Sequence, residues 1–523
     1  MMKKTIYALA LGAMCLLTTG CEDYLDIEKH GNMGSLETYY QTDEEVQGAT
    51  ASLFQSLNGV SNNWSFINNL LSDDVWAGGG SRGDNATLEQ LNEFNFGSDH
   101  GSVQDLYKSL YTMIYNANLI IEKTAGDTPL QKQAIAEAYF FRAWANFQLV
   151  ALWGTPAKVD HLLAPNEYRQ GNATPEEMWA FVEKDLNTAI SSGNLPSKSG
   201  VNDEANAIRI TKETALAMLG KAQVFQGKYS EAAKNLDAVI ESKKYDLYRG
   251  DYADIIQPAA NNSCESMIEV QRRKDAENGT NYYFTWYYTM LGWRTDKHQP
   301  TNPGFYKFAQ GTWGFCNPRK SLYDAFVATE GKDGYRLNST LHTYAQMKDL
   351  GLELQPGKSL TGHEGYYNWK NRAMAENEIV PFMGAFIYTN IKVMRYAEVL
   401  LLAAEAHVQS GNVAKATEYV NIIRERAKLA PLATVTMDDV KNEKRLELCF
   451  ENVRFLDLVR WGDAPKMLGN QGKEIYNFSS DGKSSVQFTN TSAGFVAGKH
   501  EYLPIPLKEL ELNPNMKQNE GWR

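Results

Sequence analysis

Two segments set far apart in the chain read alike. Residues 212–242 are KETALAMLGKAQVFQGKYSEAAKNLDAVIES and residues 396–427 are YAEVLLLAAEAHVQSGNVAKATEYVNIIRERA. With Gly227 on Gly411, Gly220 falls on Ala404, Ala232 on Ala416 and Leu236 on Val420. Small residues at the first two pairs let two helices approach closely, and the paired glycines sit where the chain must turn. This is the tetratricopeptide helix–turn–helix pattern, and such pairs stack into a wall that buries a continuous core. The repeats are not in tandem, so the wall must be assembled from distant segments. Residues 101–124 and 129–153 have the periodicity of a further pair, and Thr174-Pro175 opens another helix. The expected fold is mainly α: tetratricopeptide-like pairs as a scaffold, with a loop-rich ligand-binding half containing a few short strands.

The first twenty residues read as a signal peptide. Lys3 and Lys4 precede an apolar run, Ile6–Leu17, that is short for a bilayer span. Thr18-Thr19-Gly20-Cys21 follows and resembles a bacterial lipobox, which implies acylation at Cys21 and a soluble protein held by a lipid. Glu22, Asp23, Asp26 and Glu28 resemble a surface-export signal, so the expected location is the outer membrane, facing the cell exterior. Beyond Cys21 only Cys264, Cys316 and Cys449 remain, which is no disulfide framework. The net charge of −11, with no basic stripe, argues against nucleic acid. No Ser/His/Asp order, HExxH, calcium-loop or zinc spacing is present, so no catalytic residue, metal or cofactor is expected.

Residues 438–461, DDVKNEKRLELCFENVRFLDLVRW, predict one helix between Asp438 or Asp439 and Gly462. It has apolar stripes on two faces, the mark of burial. Glu451, Arg454, Asp457 and Arg460 then form an expected i, i+3 ion-pair ladder, internal scaffolding more than acid–base machinery. The stretch ELCFENVRFLDLVRWG resembles the ELxFEGxRxxDLxRWG signature of the SusD/RagB family of outer-membrane nutrient-binding lipoproteins, with Asn452 where Gly is usual. The chain end, EYLPIPLKELELNPNMKQNEGW, resembles the family's C-terminal signature, and CEDYLDIEKHG its mature N-terminus. The resemblance implies a single SusD-like domain over 21–523, with an N-terminal half to 245 and a C-terminal half from 246. It also implies a glycan ligand and a partner, a SusC-like TonB-dependent porter over which such proteins sit as a lid. The RagB branch implies peptide in place of glycan. An all-α glycoside hydrolase is the rival from outside the family.

Sugar capture asks for flat aromatic faces with planar polar groups beside them. Residues 58–100 have little periodicity and read as a short helix near 65–72 followed by long loops. Within them Asp73, Trp76, Arg82, Asp84 and Asn85 lie in a glycine-loosened stretch. A second aromatic stretch holds Tyr283, Trp286, Tyr287, Tyr288 and Trp293, with Trp313 downstream. Its YYFTWYY run also suits an alternating strand with half its rings in the core. The expected glycan ligands are Asp73, Trp76, Arg82, Asn85, Tyr283, Trp286, Trp293 and Trp313.

Overall fold

The computed structural model describes residues 39–272, 286–374 and 387–523. Cys21 and Tyr283 therefore lie outside the described residues.

The chain opens with α1 (Asp43–Leu70), started by a capping box in which Thr42 and Glu45 satisfy each other's backbone N–H groups. The short helix expected near 65–72 is instead the last part of this one continuous helix. The asparagines that suggested a loop are absorbed: Asn68 and Asn69 donate to the carbonyls of Trp64 and Ser65, at 2.8 and 2.9 Å. Burial of Val60, Trp64 and Ile67 outweighs their weak helical propensity. A strand β1 (Val75–Gly78) and a short helix α2 (Ala86–Asn92) follow.

The scaffold then runs through α3 (Gly101–Lys123), α4 (Pro129–Trp153), α5 (Pro175–Ser191), α6 (Lys212–Phe225) and α7 (Tyr229–Glu241). Next come β2 (Ser266–Val270), α8 (Trp286–Met290), β3 (His298–Pro300), β4 (Phe315–Pro318) and α9 (Lys320–Glu330). After these lie α10 (Tyr335–Thr340), β5 (Leu341–Thr343), α11 (Tyr344–Asp349), β6 (Leu352–Leu354), β7 (Ser359–Thr361) and β8 (Tyr366–Asn368). The second repeat, α12 (Tyr396–Gln409) and α13 (Val413–Arg426), follows β9 (Ile391–Arg395). The chain closes with α14 (Met437–Leu448), α15 (Arg454–Arg460), α16 (Ala464–Leu468), β10 (Glu474–Ser479), β11 (Ser484–Thr489) and α17 (Leu507–Leu512).

Helices α3 to α7 pack each on the next, and α7 then packs on α12, so the two repeats are neighbours in space. A Cβ on Gly220 would lie 2.5 Å from Leu236 Cγ, which is why this contact in the first repeat requires glycine. Both turn glycines, Gly227 and Gly411, take positive φ, +71° and +88°. Among the described residues the strands form five small antiparallel sheets: β1–β4, β2–β9, β3–β6, β5–β8 and β11–β10–β7.

The helix expected over 438–461 is two helices. The chain breaks at residues 449–453, where Phe450 and Asn452 adopt φ of +68° and +67°. Asparagine tolerates this left-handed conformation better than most residues, and glycine is free of its cost. That accounts for the family's usual Gly at position 452. The Asn452 side chain is also used: its Oδ1 accepts from Asn69 Nδ2 at 2.6 Å.

The expected ladder fails with the helix. Only Asp457–Arg460 pairs within it, at 2.8 Å. Arg454 reaches Asp73 on the loop after α1, and Glu451 binds Lys370 and Arg395. In place of a ladder there is a buried network centred on Glu447, whose carboxylate meets Arg426, Arg395 and Arg336 at 2.5, 2.7 and 3.2 Å. Burial opposes the Glu447 charge, but these three guanidinium groups outweigh it and hold the carboxyl well below the usual range.

Candidate functional site

The two aromatic stretches meet through the β1–β4 ladder, in which Val75 faces Pro318, Trp76 faces Asn317 and Gly78 faces Phe315. Beyond the ladder the Gly79 N–H donates to the Gly314 carbonyl at 2.9 Å. The 292–296 segment joins from the other side: the Thr312 N–H donates to the Trp293 carbonyl at 2.8 Å, and that of Trp313 to Thr289 at 3.2 Å.

Trp286 and Trp313 stand together on the surface created there. They are 43% and 40% exposed, with ring centroids 5.8 Å apart and planes inclined at 47°. The polar groups beside them are organised by Arg294. Its guanidinium donates to the Trp313 carbonyl at 2.6 Å, to Asp84 Oδ2 at 2.9 Å and to Asp296 Oδ1 at 2.9 Å. A Cβ on Gly80 would fall 2.8 Å from Arg294 Nη2, so glycine leaves room for the guanidinium. Partial burial pushes the Asp296 carboxyl up, but Arg294 outweighs it and holds the group below its ordinary value. Tyr306 and Phe308 are also exposed, at 42% and 44%, and the Tyr306 ring lies 6.1 Å from that of Trp293.

The other expected ligands go elsewhere. Asp73 is buried and bidentate to Arg454 at 2.8 and 3.0 Å, with Arg445 at 3.1 Å. Burial opposes its charge, yet the two arginines bring its carboxyl down to about 2. It ties the loop after α1 to the signature segment. Trp76 is buried, its indole N–H donating to Glu364 at 2.8 Å and one face covered by Arg319 at 3.6 Å. Arg82 pairs with Glu93 and Glu89 and lies 4.5 Å over the Phe488 ring. Asn85 caps α2, accepting from the Leu88 N–H at 3.2 Å. Trp293 is buried in a second core with Phe305, Leu354 and Tyr367, where it anchors the loop that carries Arg294. The alternating-strand reading does not hold for residues 286–290, which form α8, with both Tyr287 and Tyr288 buried. Arg294 and Asp296 escaped the sequence reading; their signal was a charged pair two residues apart directly after Trp293.

A model described as the SusD family matches residues 354–522, and one described as starch-binding, associating with outer membrane, matches residues 23–224. SusD-like protein P2 of Formosa agariphila is 25% identical, with 99% of each chain covered. The starch-binding protein SusD of Bacteroides thetaiotaomicron is 30% identical over 136 residues, 26% of this chain and 22% of its own. Among solved structures, a laminarin-binding SusD-like protein superposes with a TM-score of 0.78 at 25% identity, covering 92% of this chain and all of its own. Surface glycan-binding protein A of Bacteroides thetaiotaomicron, in complex with laminarihexaose, superposes with a TM-score of 0.75 at 22% identity over 91% of this chain and 99% of its own.

Proposed function

The chain belongs to the SusD/RagB family, and from that premise we propose that it is a cell-surface glycan-binding lipoprotein. It captures an oligo- or polysaccharide and delivers it to a SusC-like TonB-dependent outer-membrane transporter. The observation that carries the reading is the exposed Trp286–Trp313 pair beside the Arg294, Asp84 and Asp296 cluster. Indole faces pack on the C–H face of a pyranose, while fixed guanidinium and carboxylate groups take the hydroxyls. An open platform of this kind suits a sugar chain better than a peptide, for which a deeper cavity is expected. A hydrolase needs a protonated acid opposite a second carboxylate. Asp84 and Asp296 instead share one guanidinium, and Asp296 is held ionised. The laminarin-binding relative makes β-glucan the first ligand to try. Cys21, through its lipobox, is the anchor, and lid closure over the porter turns on a hinge near that tether.

Calorimetry with laminarihexaose and a panel of other neutral oligosaccharides tests the reading. Trp286→Ala and Trp313→Ala should each weaken binding about tenfold or more, equivalent to ~1.4 kcal/mol, and the double variant should abolish it. Wild-type affinity in a folded double variant would overturn the assignment. Reducing-sugar release by the purified protein would return the hydrolase.

A further inference from the structure

Away from the two exposed tryptophans, two surface cavities of about 470 and 410 Å3 meet at Glu364. Each lies in the size range of small-ligand sites, and neither is lined by Trp286, Trp313 or Arg294. Glu364 is fixed at the waist, its Oε2 accepting from Trp76 Nε1 at 2.8 Å and from the Lys320 N–H at 2.9 Å. One arm of the groove has Tyr476 on its wall, 5.8 Å from Trp76 and tilted by 53°. The other has Tyr323 and Tyr366, stacked at 4.6 Å and 29°. Aromatic rings therefore line both ends.

The charges along the groove balance. Arg319 and Lys473 accompany Glu364 and Glu474 in the first arm, and Lys348 accompanies Asp481 in the second. A groove with paired charges, many hydrogen-bonding groups and aromatic walls has no preference for an ion. It suits a neutral polyhydroxylated chain long enough to pass Glu364. We infer that this groove is a second saccharide-binding site, which engages another stretch of the same polysaccharide held at Trp286 and Trp313. The inference takes its ligand class from the proposed function but its location from the groove alone. The β1–β4 ladder links the two places: Trp76 pairs with Asn317 at one end, and Gly78 pairs with Phe315 near the Gly314–Trp313 turn at the other. Two sites at a fixed separation on one chain make the second contact intramolecular, so a polymer is retained more strongly than a short oligosaccharide.

Hydrogen exchange on the intact protein with laminarin, amylose, xylan and mannan separates the possibilities. The expected result is protection over both 286–314 and the groove segments 343–366 and 470–482. Protection confined to 286–314 overturns the second site and leaves the proposed function standing. Protection confined to the groove supports the second site and overturns the tryptophan platform. No protection by any of the four overturns both. In affinity electrophoresis through the polysaccharide that protects, Tyr476→Ala and Tyr323→Ala should each lower retention at least threefold. Protection of 286–314 by laminarihexaose should stay unchanged in both. Wild-type retention in both folded variants would also overturn the inference.

Discussion

Glu447→Gln is the sharpest probe of what holds this molecule together. The network around Glu447 joins five cations (Arg336, Lys370, Arg395, Arg424 and Arg426) to five carboxylates (Glu265, Glu330, Glu443, Glu447 and Glu451). It is buried and neutral as a whole. The substitution keeps the shape of the side chain but removes one negative charge where three guanidinium groups converge. Breaking a buried pair in this way costs about 3–5 kcal/mol, because the charge left behind has no solvent. An unfolding entropy of about 2.1 cal/mol/K per residue gives roughly 1 kcal/mol per degree for a chain of 523 residues. The melting temperature should therefore fall by about 3–5 °C. Calorimetry or tryptophan-monitored melting would measure it. Glu418→Gln, in an exposed i, i+3 pair with Lys415, is the control and should shift the melt by at most ~1 °C. Laminarihexaose affinity below the melt should not change. A wild-type melting temperature would refute the argument from buried charge. Lost affinity with an unchanged melt would refute the assignment of this segment to scaffolding.

Three further outcomes are expected. Burial, the leading cause in each case, pushes the imidazoles of His298 and His342 down to about 4 and that of His363 to about 3. Folding then keeps them neutral, so their contribution is full above the unfolded value near 6.5 and is lost as pH falls toward 4. The urea midpoint should drop between pH 7 and pH 5, and an unchanged midpoint would contradict this. Asn452→Ala loses both the bond from Asn69 and tolerance of the positive φ, and should cost about 1–2 kcal/mol, whereas Asn452→Gly should stay within ~1 kcal/mol; chemical denaturation of the pair checks the order. Trp293→Ala should cost about 3–5 kcal/mol through the cavity it leaves, read as a shifted denaturation midpoint.

By itself the sequence determined the scaffold. Small residues at matched positions of two distant repeats predicted a close helical pair within each, as α6–α7 and α12–α13 form, and a stack of the two, which α7 makes on α12. The signature stretch and chain end pointed to the family because they are local strings, readable without knowing what they touch. Local signals also placed the helices from α3 to α7, whose periodicity lies within each segment, with threonine caps opening α4, α5 and α6. Tertiary structure decided which charges pair and which aromatic rings reach solvent. Arg454 chose Asp73, 381 positions away, over Asp457 three residues on. Trp76, Trp293, Trp286 and Trp313 looked equivalent beside glycines and polar residues, yet two are buried and two are exposed. The same holds for the break at Phe450 and Asn452, which an apolar helical period had hidden. Helical period and caps are properties of neighbours in sequence. Burial and ion pairing depend on segments brought together from hundreds of positions apart, and only the folded core fixes which side chains lose their water.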